Sequence, residues 1–407
     1  MIIDFSIQNF GSIKDRQTLS FEADKSKHLE DYYVIHTNGL RLLKLGLIYG
    51  ANASGKTTIL KALNLLWSLV LMSKIQKTET FNFEPFLFDK NTPNQNTIFE
   101  INFIQSNVRY SYQVELNTNA IVREELYFYN PKKSNVFLRT TDLENQVSKI
   151  KFGNKISIDK ITEQYFENIT LWNNTVLGSF LRINFISKEL KDATDWFKNF
   201  LNPFIEPKKP LDNFITQNID KSKINKNILL DILKKADFNI SDILIKKEEK
   251  VTSIHLEFEH TVNANSYFLP FNKESQGTQR YYGFAGILYL LIKYPILFPI
   301  DELENSLHPD LFQHFLLSFL VNSKQSQIIA TTHNREILNN KDIFRNDAIW
   351  ITDKDNENCA TELYSLADFD TSVIRDTSNI YNAYRIGKLG GTPNLGSYYI
   401  HIDHENE

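Results

Sequence analysis

Polar and apolar positions alternate along Ile2–Gln8 and again along Thr18–Glu22, and a period of two predicts strands there. The run Leu42–Tyr49 is apolar nearly throughout, as in a parallel strand buried on both faces. A loop, Gly50–Gly55, follows. From Lys56 the residues Ile59, Leu60, Leu63, Leu66, Leu69 and Val70 recur at helical spacing. Alternation returns from Phe81 to Tyr129, in TIFEINFI, VRYSYQVEL and AIVREELYFY, with turn residues between them; this predicts an antiparallel sheet. Lys155–Asp237 is rich in Lys, Asn and Asp and carries helical patches such as FISKELKDATDWFKNFL and NKNILLDILKKA. It lacks sustained heptads, so no long coiled coil is expected. Strands resume over Ile240–Val262. A helix (Gln279–Lys293), a strand (Ile296–Ile300), a helix (Asp310–Asn322) and a strand (Gln327–Thr331) then alternate, which implies a parallel sheet with crossover helices. Met1–Thr80 and Tyr267–Asp368 would share that sheet, with the middle of the chain inserted. The expected class is therefore α/β, with a mixed or parallel sheet, an antiparallel β layer and a helical insertion. The expected divisions are an N-terminal lobe over 1–154, the insertion over 155–239, a C-terminal lobe over 240–368, and a helix with a glycine-rich tail over 369–407.

Composition narrows the setting. The 407 residues are 42% hydrophobic and 13% aromatic, which is enough for a sizeable core and far from a disordered composition. The single cysteine, Cys359, excludes an internal disulfide and leaves no C-x-x-C pair for zinc. The opening MIIDFSIQNFGSIKD has no basic segment leading into an apolar one, so no signal peptide is expected. The most apolar stretch, Tyr281–Ile300, is broken by Lys293, Pro295 and Pro299 and runs into Asp301 and Glu302, which suits a buried helix and strand rather than a membrane span. A cytoplasmic protein is expected. The net charge of -4 supplies no global attraction to nucleic acid, although a local basic face stays open.

Four short motifs carry chemistry. Gly50-Ala51-Asn52-Ala53-Ser54-Gly55-Lys56-Thr57 fits G-x-x-x-x-G-K-[ST] and lies between a buried strand and a helix N-terminus. A chance glycine turn is the alternative, and the flanking elements weigh against it. In this pattern the loop amides line phosphates, Lys56 reaches the β- and γ-phosphate oxygens, Thr57 places its hydroxyl on Mg²⁺, and Thr58 touches the α-phosphate. PILFPIDELENSLHPD ends a strand in Asp301, placed to hold Mg²⁺, and Glu302, placed to polarise water as a general base. Pro299 removes a ladder donor, so that strand must be irregular or partnered on one side. QIIATTHNREIL puts His333 at another strand tip, where it could contact a γ-phosphate or simply cap a helix. NKESQGTQRYYGFAGILYLL sets Ser275, Gly277 and Gln279 ahead of a helix, as an anion site or an ordinary cap.

The order of these motifs resembles the ATP-binding-cassette class of ATPases, and within it the soluble RecF, SMC and OLD-type branch; the fold implied is an ABC-type ATPase head with a P-loop. FSIQNFGSIKDRQTLSF resembles that branch's opening strands, and DELENSLHP its Walker B and D-loop run. Most of the chain, apart from Lys155–Asp237, resembles the AAA-type, OLD-related ATP-binding proteins of bacterial anti-phage and abortive-infection systems, such as RloA/AbiL-like ATPases and the AriA and PtuA subunits. FEPFLFD, TIFEINF, REELYFY, NDAIWIT, TELYSL and YRIGKLGGTPNL carry that resemblance. It implies that Gly50, Asn52, Ala53, Ser54, Gly55, Lys56, Thr57 and Thr58 of one copy, with Ser275, Gly277 and Gln279 of another, enclose ATP and Mg²⁺ in a head-to-tail homodimer or larger homo-oligomer. Asn305–His308 would be the D-loop, Glu302 and His333 would serve hydrolysis, and Thr57 and Asp301 the metal. The signature departs from LSGGQ at Glu274, Gln276 and Thr278. The implied role is a nucleotide-gated scaffold that controls a separate effector or toxin. A RecF- or SMC-like DNA clamp is the alternative. An OLD-type nuclease is disfavoured, since too little chain follows Asp353 and Asp355 for a TOPRIM domain and a hairpin turn explains ITDKDNE better. RIGKLGGTPNLGS is either a partner-docking loop or a mobile terminus.

Overall fold

The computed structural model describes residues 1–247, 254–354, 357–369, 379–393 and 395–396. Strands β1 (Ile2–Gln8) and β2 (Gln17–Ser20) open the chain. The short helix α1 (Glu30–Tyr33) leads to the hairpin β3 (Val34–Thr37) and β4 (Leu40–Leu43), then to β5 (Leu45–Gly50) and helix α2 (Lys56–Leu71). The expected single strand Leu42–Tyr49 is thus two strands in different sheets. The break falls at Lys44, the one polar residue of the run. Its buried ammonium donates to Leu320 O at 2.9 Å and Ser323 O at 2.6 Å, and burial lowers its pKa.

Five strands follow as a meander: β6 (Thr97–Gln105), β7 (Val108–Leu116), β8 (Ile121–Tyr129), β9 (Lys133–Asp142) and β10 (Val147–Phe152). With β1 and β2 they form a seven-stranded antiparallel sheet in the order β10-β9-β8-β7-β6-β1-β2. The alternation expected from Phe81 begins only at Thr97, because the segment before it folds onto side chains rather than a neighbouring strand; Asn9 Oδ1, for example, takes the Phe86 N–H at 3.0 Å. Helices α3 (Lys160–Ile169), α4 (Val176–Phe180), α5 (Lys188–Asp195), α6 (Asp212–Asp220) and α7 (Lys226–Lys235) make up the insertion. A three-stranded sheet, β11 (Asp242–Lys247), β12 (Ile254–Val262) and β13 (Asn265–Pro270), comes next. The chain continues through α8 (Gln276–Lys293), β14 (Leu297–Ile300), α9 (Pro309–Asn322), β15 (Gln327–Thr331), β16 (Ile349–Lys354), β17 (Thr361–Ser365) and α10 (Ile380–Arg385).

The sheet that positions the site has the order β14-β15-β5-β16-β17. Its first four strands run parallel, and β17 returns antiparallel to β16. Only β5 comes from the first part of the chain; β1 and β2, expected in this sheet, pair in the antiparallel one. Asp353 lies opposite Glu362 in the β16–β17 hairpin, and Asp355 lies outside the described residues. Pro299 sits on the edge strand β14, where its carbonyl accepts from Ile205 N at 2.9 Å, so the missing donor breaks no ladder to β15. Helix α2 lies between the two large sheets, touching β1 on one side and β5 and β15 on the other. Its buried stripe, Ile59, Leu60, Leu63, Leu66 and Val70, joins both sheets in one continuous core. Each such side chain stabilises the packing by about 1.5–3 kcal/mol. Among the described residues no helix is long and apolar enough to cross a membrane.

Candidate functional site

The site lies where the parallel strands end. Strand β5 is buried at every position and stops at Gly50. A Cβ on Gly50 would meet Thr352 Oγ1 at 2.3 Å, and one on Gly55, at φ +105°, would meet Thr361 Oγ1 at 2.2 Å. Glycine at both ends lets the loop press against β16 and β17. Polar side chains hold it from behind. Ser54 Oγ pairs with Thr352 Oγ1 at 2.6 Å, and Thr361 Oγ1 donates to Ser54 O at 2.9 Å and lies 2.8 Å from Ser12 Oγ. Ser12 Oγ in turn lies 3.2 Å from Thr58 Oγ1. Asn52 and Ala53 are exposed at the loop tip.

Helix α2 begins without a side-chain cap, its N-cap being Gly55 in the left-handed region. The Thr58 N–H turns back to Gly55 O at 3.0 Å, so the amides of Lys56 and Thr57 are the ones left open to an anion, at the positive end of the helix dipole. Lys56 is 6% exposed and donates to the carbonyls of Gly50 and Ala51, both at 2.9 Å. Burial lowers its pKa, opposed by the charges of Asp301, Glu302 and Glu304. An incoming phosphate would replace the two carbonyls as the ammonium's partner.

Asp301, at the C-terminal end of β14, faces the start of α2: Thr57 Oγ1 donates to its carboxylate at 3.0 and 3.1 Å. Thr331 Oγ1, at the tip of β15, donates to Asp301 Oδ1 and accepts the Glu302 N–H at 2.8 Å. The Thr57 hydroxyl and the Asp301 carboxylate are hard oxygen donors that fit Mg²⁺, an ion that keeps much of its shell as water and phosphate oxygens. Glu302 adopts φ +46°, a turn that a non-glycine residue makes only at a cost. His333 feels both Lys56 and the three acids, and burial, assisted by the Lys56 charge, lowers the pKa of its ring. Its backbone N–H donates to Glu304 Oε1 at 2.6 Å, while Glu304 Oε2 is buried without a hydrogen-bond partner.

Glu304, Thr331 and the Ser12–Thr352–Thr361 collar are absent from the sequence-level site. The third acid of DELE was the available sign for Glu304; the collar is built from contacts between distant segments and leaves no local pattern.

The signature segment is arranged differently. Ser275 caps α8, its Oγ accepting from Thr278 N at 3.0 Å, and Gln279 Nε2 donates to Glu274 O at 2.9 Å. His260 Nε2 lies 2.7 Å from Glu274 Oε1. A Cβ on Gly277 would lie 3.4 Å from Ser306 O, so the Asn305–His308 turn adjoins the signature of its own chain. Among the described residues no hydrogen bond joins Ser275, Gly277 or Gln279 to Gly50–Thr58. One chain therefore unites Lys56, Thr57, Asp301, Glu302 and His333, and Ser275, Gly277 and Gln279 make no hydrogen bond to that group among the described residues. A groove of about 610 Å³ opens beside Thr58 along α2, lined by Phe10, Lys61, Phe83 and Glu84 among others.

Residues 47–339 match the model of the family described as "AAA domain, putative AbiEii toxin, Type IV TA system". No curated protein matches the sequence. Among solved structures, the chain is similar to the SMC head domain from Thermotoga maritima, at 12% identity and TM-score 0.41, over 89% of this chain and 98% of that one. It is also similar to an SmcHead bound to the C-winged helix domain of ScpA, at 14% identity and TM-score 0.45, over 89% and 97%. A third similar structure is an Smc head domain with an extended coiled coil bound to the C-terminal domain of ScpA derived from Pyrococcus furiosus, at 12% identity and TM-score 0.42, over 89% and 96%.

Proposed function

The chain belongs to that AAA-domain family, and from this premise we propose that it binds ATP with Mg²⁺ and hydrolyses it as a nucleotide-gated subunit. The observation that carries the reading is the Thr57–Asp301 hydrogen bond at 3.0 Å, which joins the phosphate loop to the acidic strand end. It brings together two sequence segments that have no reason to meet in a chance glycine turn. Lys56 and the backbone amides of Lys56 and Thr57 would hold the phosphates, Thr57 and Asp301 would hold Mg²⁺, and Glu302 would take the proton of the attacking water. Bound Mg²⁺ offsets the charge that develops on the transferred phosphoryl group. Neutral His333 offers a hydrogen bond at the site's rim without adding charge.

The second half of the pocket is supplied in trans by Ser275, Gly277 and Gln279 of another copy, with Asn305–His308 at the contact. This reading is supported by the signature side chains bonding only within their own segment among the described residues, with no hydrogen bond to the phosphate loop of the same chain. Nucleotide that touches two copies makes their association ATP-dependent, and hydrolysis releases it. On this reading the ATP cycle is a clamp that controls a separate effector in an anti-phage system, in keeping with the defence-protein resemblance of its motifs. The test is Mg²⁺-dependent ATP turnover by the purified chain. Wild type is expected to hydrolyse ATP slowly, and Lys56→Ala to lose binding by at least about a hundredfold, since charge-assisted hydrogen bonds to two phosphates are lost. Equal ATP binding by the two proteins would refute the phosphate-loop assignment.

A further inference from the structure

The first part of the motif left without a role, Tyr384–Gly391 of YRIGKLGGTPNL, packs against the back of the phosphate loop. Tyr384, on α10, is 3% exposed. Its ring meets that of Tyr49 edge-on, with centroids 5.8 Å apart, one residue before Gly50. The Tyr384 hydroxyl donates to Gly391 O at 2.9 Å, closing the turn that follows the helix. Gly390 and Gly391 have φ +70° and +64°, and a Cβ on Gly391 would stand 2.5 Å from Ile351 Cγ2 and 3.4 Å from the Gly50 Cα. Only glycine allows the turn to lie this close to the loop. Burial pushes the Tyr384 phenol up to about 12, against the Arg335 charge and the Gly50 N–H that act on its oxygen. Arg335, two residues after His333, has its guanidinium carbon 5.7 Å from the centre of the Tyr384 ring. One aromatic residue thus touches the strand end before the phosphate loop and the loop that carries His333, and it closes the turn whose Gly391 lies against the loop's first glycine.

We infer that Tyr384 is a positioning residue of the nucleotide site, which sets Gly50 and the His333 loop through contacts that tighten when the phosphate loop is filled. The Gly387–Gly391 turn is then a built part of the site and moves with its occupancy. This inference rests on the ATP-binding reading above. It differs from a simple fastening of the C-terminal segment, because a second tyrosine fastens the same turn from elsewhere: Tyr364 Oη, on β17, donates to Leu389 O at 3.0 Å, and among the described residues no hydrogen bond joins it to Gly50.

The experiment compares full-length wild type, Tyr384→Phe and Tyr364→Phe, each deleting one hydroxyl and one hydrogen bond to the turn. The probe is a fluorescent ATP analogue with Mg²⁺, and amide hydrogen exchange over residues 379–393 is followed with and without it. Tyr384→Phe is expected to weaken the analogue roughly tenfold, the value of one buried hydrogen bond, and Tyr364→Phe to stay within about twofold of wild type. Nucleotide should slow exchange across the turn in wild type and Tyr364→Phe, but not in Lys56→Ala. Equal losses in both tyrosine variants, or no loss in either, would overturn the inference, as would exchange that ignores bound nucleotide. Should Tyr384→Phe fail to fold, the occupancy-dependent exchange of wild type against Lys56→Ala still decides. If wild type itself binds no analogue, the ATP-binding reading fails and takes the inference with it; binding without response at the turn sinks the inference alone.

Discussion

Two helix N-termini in this molecule are finished in opposite ways. Helix α2 starts at Gly55 with no side-chain cap, its lysine buried and bonded only to carbonyls of its own loop. Helix α8 starts at Ser275, whose hydroxyl already satisfies the Thr278 amide, on an exposed surface. The first has unspent donors, a buried cation and three acids around it; the second has a completed cap. An N-terminus alone therefore does not show which other residues of the same chain gather around it. What separates the two is the company each keeps: Asp301 bonds Thr57 in the first turn of α2 and Thr352 and Thr361 bond Ser54 in the loop before it, whereas among the described residues none of these three bonds to the start of α8.

The largest effect that would sharpen this contrast is expected for Glu302→Gln. Loss of the general base should slow turnover about a thousandfold while ATP binding is kept, measured by single-turnover hydrolysis alongside equilibrium binding. Next, Ser275→Arg should bind ATP as a single chain like wild type yet lose turnover. Mixed in equal amounts with Lys56→Ala, it should recover up to about a quarter of wild-type rate, since half the random pairs carry one intact composite pocket; no recovery would break the comparison by removing the partner from the second helix. A smaller change is expected for Glu304→Gln. The amide oxygen can still accept the His333 N–H, but one negative charge near the phosphates is gone, so Mg-ATP should bind a few-fold tighter, as read by titration calorimetry. The smallest concerns pH. Burial and the Lys56 charge hold His333 below its ordinary 6.5. The native state thus resists protonation there, so its contribution is present above the unfolded value and fades as pH falls through the lower folded one. Thermal unfolding between pH 7.5 and 5 should show a slightly larger loss for wild type than for His333→Gln.

Much of the parallel sheet was legible because its strands are apolar runs ending in recognisable turns, and the phosphate loop because glycine spacing is a local requirement of its backbone. The acid pair after β14 was readable for the same reason. The break at Lys44 was not, because the residues on either side are equally apolar and only the tertiary position of Leu320 and Ser323 explains it. Strand β13 escaped notice since all six of its residues are exposed, so no inside-outside alternation marks it. Glu304 and Tyr384 were hidden in another way: each acts through a neighbour far along the chain, His333 for one and Gly50 for the other, and such pairings leave no periodicity.

The most direct test of the composite pocket is disulfide trapping across it. In a Cys359→Ser background, Asn52→Cys marks the tip of the phosphate loop and Gln276→Cys the start of α8, both at exposed positions. Two chains, one carrying each substitution, should become covalently linked when Mg-ATP is added to the Glu302→Gln form, and stay separate without nucleotide. Nucleotide-loaded protein that yields no such link would show that the two helix ends never share a phosphate.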